Sequence, residues 1–261
     1  MKTLLVIVTT LICTLVYAEK QDYILTKGIS SPSFVFLHGD TRTGKNFSTY
    51  TKFKKYTTLF PSASEKTWHI HETKKYKSKK AGLISLITKL QKNNELSKDI
   101  VLVGFSTGGI LAMDIACNSK LKAKGLAMFA ANYSPGIDCD YPVKTLLVHG
   151  TKDPFMKFNK EKTFKKIRVA SGKGTQNYFI ENSQCIFNKQ IDMDNDKKDK
   201  TKVKLETYKC PKKLLTVTIE GAGHTWPGLK NKFIASKIIG LSSAEINGND
   251  LLIDYFVKGK Y

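Results

Sequence analysis

The stretch Val-Leu-Val-Gly-Phe-Ser-Thr-Gly-Gly-Ile, residues 101–110, decides the fold that this sequence predicts. A short apolar run leads into the pattern Gly-x-Ser-x-Gly, which is centred on Ser106. The run 100–103 predicts a buried parallel strand, and the apolar residues after the turn predict a helix. Because Gly104 and Gly108 carry no side chain, neighbouring backbone can pass close by, and Ser106 can adopt a strained conformation. A glycine-rich turn is the alternative interpretation of this pattern taken alone.

A histidine and a carboxylate are needed if Ser106 is a nucleophile, because a serine hydroxyl reacts only when a base takes its proton. Among the five histidines, His224 directly follows the last predicted strand. Asp153 follows the predicted strand 145–148 through a short turn. The order Ser106, Asp153, His224 is that of α/β-hydrolases, and each residue stands at the carboxyl end of a predicted strand. We therefore predict a nucleophile, an orienting acid and a general base at these positions.

The other four histidines are interpreted as structural. His69 and His71 flank Ile70 on a predicted strand before the nucleophile, where a partly exposed position is expected. His38 and His149 each precede a glycine at the end of a predicted strand, where they are expected to shape the loops through hydrogen bonds.

The loop after the predicted strand 34–37 reads His-Gly-Asp-Thr-Arg-Thr-Gly-Lys-Asn, residues 38–46. It contains Gly-x-x-x-x-Gly-Lys, the phosphate-binding pattern of nucleoside triphosphatases, but Asn46 stands where that site needs a Ser or Thr hydroxyl for Mg²⁺. We favour a different use, in which the backbone amides of Asp40 and Thr107 form an oxyanion hole and their side chains need play no part.

The alternation of strand-like and helix-like runs predicts an α/β fold with a mostly parallel central sheet and helices on both faces. Strands are predicted at 34–37, 67–70, 100–103, 126–129, 145–148 and 215–219. Helices are predicted at 81–90, 110–117, 160–170 and 250–257. Residues 190–204 mix Asp and Lys so densely that we expect an exposed loop, and Asn249 and Asp250 offer an N-cap for the last helix.

Residues 1–18 predict a secretory signal peptide, with one basic residue, an apolar core and a small-residue end at Ala18. The alternative is that residues 1–18 are not cleaved and remain on the chain as a membrane anchor. No later stretch approaches the roughly 20 apolar residues of a membrane span. Residues 19–261 show no linker or internal repeat, so we expect one catalytic domain, exported to the extracellular space or the periplasm.

The chain of 261 residues carries a formal charge of +21, and Arg42 and Arg168 are its only arginines. A nucleic-acid-binding protein would be expected to cluster arginines and aromatic residues on one patch, whereas the lysines here are scattered. We therefore expect a solvated lysine-rich surface with no nucleic-acid site. If the positive charge has a function, we expect it to be weak attraction to anionic surfaces or acidic polymers.

Four cysteines remain once the predicted signal peptide is removed: Cys117, Cys139, Cys185 and Cys210. Their spacing fits no zinc pattern, and an even number in an oxidising compartment predicts two disulfides. The spacing of these four cysteines does not decide among the three possible disulfide pairings.

Three motifs together resemble the secreted esterase family of polyhydroxybutyrate depolymerases and feruloyl or acetylxylan esterases. They are Gly-His-Thr-Trp-Pro-Gly at 223–228, His-Gly-Thr-x-Asp-Pro at 149–154 and Gly-Phe-Ser-Thr-Gly-Gly at 104–109. The resemblance runs from about Phe34 to the final helix. It implies an α/β-hydrolase fold, a Ser-Asp-His triad without metal or cofactor, and hydrolysis of carboxylic esters such as hydroxyalkanoate oligomers or feruloyl and acetyl esters.

The resemblance also implies the disulfides Cys117–Cys139 and Cys185–Cys210. The chain departs from the family after Asp153-Pro154, where it continues Phe-Met-Lys-Phe, so the family's substrate preference is not transferred. Phe155 and Trp226 are candidate substrate contacts, and Trp226 is equally expected to be wedged beneath the loop that holds His224. The alternatives are a lipase or peptidase of the same fold and a catalytically silent secreted binding module.

Overall fold

The computed structural model describes residues 22–51, 53–70, 73–139, 143–164, 167–193, 198–229 and 233–261, so the predicted signal peptide lies outside the described residues. Strands β1 to β11 span Tyr23–Thr26, Ser30–Leu37, Tyr56–Pro61, Ile100–Phe105, Gly125–Phe129, Lys144–Gly150, Lys162–Phe164, Ile167–Val169, Ile186–Met193, Lys202–Lys209 and Leu214–Glu220. Helices α1 to α6 span Gly44–Ser48, Thr73–Lys92, Thr107–Asn118, Gly172–Asn182, Phe233–Ile239 and Gly248–Phe256.

Nine strands form one sheet in the order β1-β3-β2-β4-β5-β6-β11-β10-β9. The central strands from β3 to β11 in this order pair in parallel. Strand β1 at one edge and the β9–β10 hairpin at the other edge pair antiparallel. Strands β7 and β8 form a separate antiparallel hairpin. The prediction of an α/β fold with a mostly parallel central sheet is confirmed.

Helices cover both faces of the sheet, and β2 shows why this is required. Its apolar side chains alternate, so that Phe34 and Phe36 lie in one core cluster while Val35 and Leu37 lie in the other. A strand that is apolar on both sides must be covered on both sides. Helices α1 and α6 cover the first cluster, and α2, α3 and α4 cover the second. No helix among the described residues is long and apolar enough to cross a membrane.

Most predicted strands and helices are confirmed within a few residues, but the strand predicted at 67–70 is wrong. This segment is a loop in which buried Trp68 donates its indole N–H to the carbonyl oxygen of His38 at 2.7 Å. His69 has a φ of 52°, which is incompatible with a strand. The strand that pairs with β2 at this side is β3 instead.

The helix predicted at 160–170 is also wrong, because this segment forms the β7–β8 hairpin. The β-branched residues Thr163, Ile167 and Val169 favour strands over helices. The helix begins later, as α4, where the side chain of Ser171 accepts the amide N–H of Gly174 and provides an N-cap.

The exposed loop predicted at 190–204 is wrong at both ends, where residues 190–193 belong to β9 and residues 202–204 belong to β10. In β10 the buried side chains of Val203 and Leu205 alternate with the more exposed Lys202 and Lys204. This alternation is the pattern of an antiparallel strand with one face on the core, and the density of charge concealed it. The described part of the segment stops at 193 and resumes at 198.

The N-cap predicted for the last helix is displaced by about half a turn. Asn247 caps α6, and its side-chain oxygen accepts the amide N–H groups of Asn249 and Asp250. These two residues are therefore the donors of the capping interaction rather than its acceptor.

Both disulfides pair as the resemblance implies. Cys117, near the end of α3, is bonded to Cys139 in the segment that precedes β6. Cys185 stands directly before β9 and Cys210 directly after β10, so the second bond joins the two open ends of the edge hairpin.

The histidine at the end of β6 shapes a loop, as predicted. The Nε2 of His149 lies 2.9 Å from the carbonyl oxygen of Ala131, to which it donates. Its Nδ1 has no partner among the described residues. Burial lowers the pKa of His149 to about 4, so this imidazole is neutral in the folded protein near neutral pH.

We predict that His149 contributes to acid destabilisation. The unfolded histidine takes up a proton below a pKa of about 6.5, whereas the folded one does so only below about 4. The unfolded state therefore binds more protons in this window, and the free energy of unfolding falls as the pH drops through it. Urea unfolding should show that His149→Gln reduces the loss between pH 7 and pH 5 by about 2 kcal/mol. An equal loss in wild type and variant would contradict this.

We predict that the disulfide at the edge hairpin stabilises the fold by restricting the unfolded chain. Its cysteines are separated by 25 residues, and closing a loop of this size is worth about 3.5 kcal/mol. The variant Cys185→Ala/Cys210→Ala should lose about this much free energy of unfolding in urea without reductant. The control is the same pair of proteins under full reduction, where the difference should disappear.

Candidate active site

The turn between β4 and α3 holds Ser106 in a strained backbone conformation, with φ 56° and ψ −127°. The glycines around it are required by close packing of backbone. A Cβ atom at Gly104 would lie 2.3 Å from the carbonyl oxygen of Gly108, and one at Gly108 would lie 2.3 Å from that of Leu37. Neither distance is compatible with a side chain, so the strained turn depends on both glycines, as the sequence predicted.

Asp153 and His224 are joined by a hydrogen bond, in which His224 Nδ1 lies 2.7 Å from Asp153 Oδ2. The other carboxylate oxygen, Oδ1, accepts the amide N–H groups of Phe155 and Met156, both at 2.8 Å. Asp153 is 3 % exposed. Both of its oxygens are thus engaged, and a proton on Nδ1 leaves Nε2 of the imidazole as a free acceptor.

The loops that carry these two residues are bound to each other because β6 and β11 are neighbours in the sheet. The amide of Lys152 donates to the carbonyl of Ala222 at 2.8 Å, and the amide of Gly221 donates to Thr151 Oγ1 at 3.0 Å. The backbone contacts hold the carboxylate and the imidazole together across 71 residues of sequence.

The imidazole of His224 is also packed between two phenylalanine rings. The ring centroid of Phe105 lies 4.9 Å away, and that of Phe155 lies 5.2 Å away in an edge arrangement. Its backbone amide donates to the carbonyl of Ile239 at 2.6 Å. These contacts restrict the ring to one orientation, in which its Nδ1 side meets Asp153.

Ser106 and His224 line one cavity of about 350 Å³ at the carboxyl edge of the sheet. The cavity is also lined by Phe47, Tyr50, Phe105, Phe155, Trp226, Leu229 and Ile239, which make it largely apolar, and by the loop residues His38, Gly39, Asp40, Thr41 and Arg42, with Thr225. No direct hydrogen bond joins the side chains of Ser106 and His224 in this structure. Such bonds often tighten only when substrate enters.

The residues predicted for the oxyanion hole lie together, and their side chains are bonded to each other. Asp40 Oδ1 accepts the hydroxyl of Thr107 at 3.0 Å and that of Thr67 at 2.9 Å. A Cβ atom at Gly39 would lie 3.0 Å from the Cβ of Ser106, so this loop passes directly over Ser106. The amide of Thr107 opens α3, where the first N–H groups have no acceptor within the helix. The two side chains thus help to shape the loop, and the role of the backbone amides of Asp40 and Thr107 as oxyanion donors stays a prediction.

The glycines of the phosphate-like pattern are explained by packing. A Cβ atom at Gly44 would lie 2.1 Å from the carbonyl oxygen of Phe60, so α1 starts against the backbone of β3. The helix that follows has only five residues. Asn46 completes its N-terminal cap with Thr43 rather than holding a metal.

His38 and His69 also lie outside the acid–base pair. His38 Nδ1 donates to the carbonyl of Gly39 at 2.7 Å, and its Nε2 accepts the amide of Ala63 at 3.0 Å. Burial lowers the pKa of His38, which keeps it neutral in this role. His69 Nε2 lies 3.0 Å from Glu65 Oε2. His71 lies outside the described residues.

Trp226 is buried beneath the cavity, where it stacks on Phe129 with ring centroids 4.1 Å apart and meets Phe47 edge-on at 5.4 Å. Of the two expectations for this residue, its packing fits the wedge beneath the His224 loop, although one side of the ring also lines the cavity. Phe155 lines the cavity directly.

Sequence reasoning missed several residues of this site. Thr67 lies in the segment that the sequence predicts as a strand. Phe105 belongs to the motif around Ser106, but the sequence gives no sign of its contact with His224. Arg42 and Tyr50 were not singled out as cavity residues. For Arg42 a signal was present, because arginine is so rare in this chain. Among the described residues there is no group of three or more His, Cys, Asp or Glu that could hold a metal ion.

A family model described as phospholipase/carboxylesterase matches residues 62–191. This range contains Ser106 and Asp153 but neither His224 nor the loop at 38–46. A search of curated proteins finds no match. The match therefore covers the centre of the sheet and two of the three predicted catalytic residues.

Solved structures share the fold at low sequence identity. An acetyl xylan esterase from Aspergillus awamori has a TM-score of 0.60 at 12 % identity, over 91 % of this chain and 94 % of that one. Esterase PE8 has a TM-score of 0.55 at 14 % identity, over 80 % of this chain and 93 % of that one. A phospholipase/carboxylesterase from Dyadobacter fermentans has a TM-score of 0.54 at 14 % identity, over 81 % and 93 %. The chain therefore has the α/β-hydrolase fold, and the family match groups its central residues with the carboxylic ester hydrolases.

Proposed function

We propose that this chain is a secreted serine esterase that hydrolyses carboxylic esters through Ser106, His224 and Asp153. The observation that carries the proposal is the buried Asp153–His224 hydrogen bond at 2.7 Å, placed in one cavity with a strained serine. Each of the three residues follows a strand of the central sheet, which agrees with the α/β-hydrolase order. The family match to phospholipases and carboxylesterases supports the same reaction class.

The reaction proceeds by two acyl transfers. Ser106 Oγ attacks the ester carbonyl carbon while Nε2 of His224 takes the hydroxyl proton, and the bond to the alcohol then breaks as His224 returns that proton to the leaving oxygen. Asp153 stabilises the imidazolium in both steps. The amides of Thr107 and Asp40 donate to the negative oxygen of the tetrahedral intermediate. Water next attacks the acyl-enzyme, with His224 as base, and the acid is released.

The proposed substrates are small or oligomeric esters, including hydroxyalkanoate oligomers and feruloyl or acetyl esters, as the family resemblance implies. A largely apolar cavity of about 350 Å³ suits a short acyl chain or a single ring. Phe155 and the side of Trp226 that lines the cavity are the proposed contacts to that group. The acetyl xylan esterase among the solved structures is consistent with this class.

Export is part of the proposal. Residues 1–18 have the composition of a signal peptide, and residues 19–261 form the proposed catalytic domain. Two disulfides are typical of an oxidising compartment, either extracellular or periplasmic. The excess of lysine favours loose association with anionic surfaces, with no nucleic-acid site.

We predict that Ser106→Ala abolishes hydrolysis of p-nitrophenyl acetate and p-nitrophenyl butyrate, because the variant lacks the hydroxyl that attacks the ester carbonyl in the proposed mechanism. A fluorophosphonate probe should label wild type at the peptide that contains Ser106 and should not label the variant. The matched control is Ser134→Ala, which removes another buried serine hydroxyl, bonded to the carbonyl of Arg168.

Labelling of Ser106 would exclude a catalytically silent module, and retained turnover in Ser106→Ala would overturn the proposed nucleophile. Circular dichroism of both variants shows whether the fold is kept. Comparison with long-chain triglycerides and with peptides separates an esterase from a lipase or peptidase of the same fold.

We predict that Asp153→Asn lowers kcat by about 10³- to 10⁴-fold while the protein stays folded. The asparagine oxygen can still accept the amides of Phe155 and Met156, so the turn is kept. Its NH₂ group, however, faces Nδ1 and favours the tautomer with the proton on Nε2, which cannot take the serine proton. Steady-state kinetics on p-nitrophenyl butyrate measures the loss.

The control for this variant is Asp199→Asn. Asp199 also accepts hydrogen bonds, from Thr201 and from the amide of Ala244, but it does not line the cavity. A similar loss of kcat in both variants would contradict a specific role for Asp153.

A further inference from the structure

Among the described residues that line the cavity, Arg42 is the one that carries a permanent positive charge. The residue is exposed and shares the cavity with Ser106 and His224. The lining residues that the structure describes include no lysine, although 43 residues of the chain are Lys or Arg. A chain that uses lysine almost everywhere thus places one of its two guanidinium groups beside the nucleophile.

The two arginines differ in their partners. Arg168 donates from Nε and Nη2 to Glu161 Oε2, at 3.0 Å and 2.6 Å. The guanidinium of Arg42 forms no ion pair or hydrogen bond with any described residue. A planar guanidinium matches the two oxygens of a carboxylate, a geometry that lysine lacks. The Arg42 group is therefore available to an anion that enters the cavity.

The backbone around Arg42 is fixed, so the guanidinium starts from a defined point. The amide of Arg42 donates to the carbonyl of Gly39 at 3.3 Å, and that of Thr41 donates to the carbonyl of Lys66 at 2.9 Å. Thr43, the next residue, is the N-cap of α1. Fixed anchoring reduces the entropy lost when the side chain binds a ligand.

Asp40 also lines the cavity. Its Oδ1 accepts two threonine hydroxyls, from Thr67 and Thr107. Tyr50 lines the same cavity. The cavity thus combines an apolar aromatic surface with a guanidinium group, which suits a ligand that has a hydrophobic body and an acidic end.

We propose that Arg42 binds a carboxylate carried by the substrate, so that this site prefers esters with a free acid group over their neutral counterparts. The inference rests on the proposed esterase function and specifies its substrate class. The acid group can belong to the acyl part or to the alcohol part of the ester. The experiment treats these as separate arms.

The test compares matched esters that differ only in the acid group. For the alcohol part the pair is 4-acetoxybenzoate and methyl 4-acetoxybenzoate, and for the acyl part it is monomethyl succinate and dimethyl succinate. For each pair the measured quantity is the ratio of kcat/KM for the acid to kcat/KM for the methyl ester. Arg42→Gln should lower this ratio by about ten-fold in at least one pair, the size expected for one charge-assisted contact. Arg42→Lys should lower it less.

The control is Arg168→Gln, which removes the same positive charge from an exposed position outside the cavity. It should leave the ratio unchanged, whereas general steering by the net charge would lower the ratio equally in Arg168→Gln and Arg42→Gln. An equal effect of both variants, or an unchanged ratio in Arg42→Gln for both pairs, would overturn the inference.

A binding measurement separates this inference from the proposed function. Calorimetry with the Ser106→Ala protein measures the affinity for 4-acetoxybenzoate without turnover, and adding Arg42→Gln should weaken it by a similar factor. Absence of turnover by wild type would refute the esterase function, and loss of affinity on changing Arg42 would still support the carboxylate site. Equal affinity in both proteins would refute the carboxylate site alone.

Discussion

The contact between the start of α3 and the end of β2 is the constraint on which the rest of the structure depends. The backbones meet so closely at Gly108 and Leu37 that no side chain fits between them. This contact holds Ser106 at a φ of 56°, a conformation that costs on the order of 1–3 kcal/mol in isolation. The strain is maintained because β4 is buried in the centre of the sheet and α3 is almost wholly buried beside it. The rigid core thus fixes the position of the serine.

The parallel sheet explains how distant residues reach the same point. Strands β4, β6 and β11 all run in one direction, so the loops after them emerge at one edge. Because β6 and β11 are adjacent, the loops with Asp153 and His224 lie side by side and share backbone hydrogen bonds. Strand β5 lies between β4 and β6, and the amide of Ser106 donates to the carbonyl of Phe129 at its end. The order of strands is thus the physical origin of the cavity.

The central strands and the three catalytic candidates were predictable because their signals are local. An apolar β-branched run bounded by glycine predicts a strand buried on both faces, and each candidate directly follows such a run. The errors occurred where tertiary contacts decide the structure. Val203 is buried between two lysines on β10, the strand next to the edge of the sheet, and Trp68 is buried in a loop because it bonds to the backbone of His38. The hydrogen bonds of Asp40 to two threonines could not be predicted from the sequence either, because they join three separate segments of the chain. The disulfide pairing came from the family resemblance, because spacing left three choices.

The loop at 38–46 shows how one sequence pattern can arise from two different physical demands. In a nucleoside triphosphatase the glycines of Gly-x-x-x-x-Gly-Lys free the backbone to surround phosphates. Here the first glycine lets the loop pass over Ser106, and Gly44 lets α1 begin against the carbonyl of Phe60. Both uses need backbone without side chains, so the glycines alone cannot distinguish them. What differs is the residue that would bind Mg²⁺, since Asn46 closes a helix cap and offers no hydroxyl. Of the two cations in this loop, Lys45 belongs to α1, whereas Arg42 lines the largely apolar cavity beside the serine. Opposite charges attract each other more strongly beside an apolar surface than in bulk water.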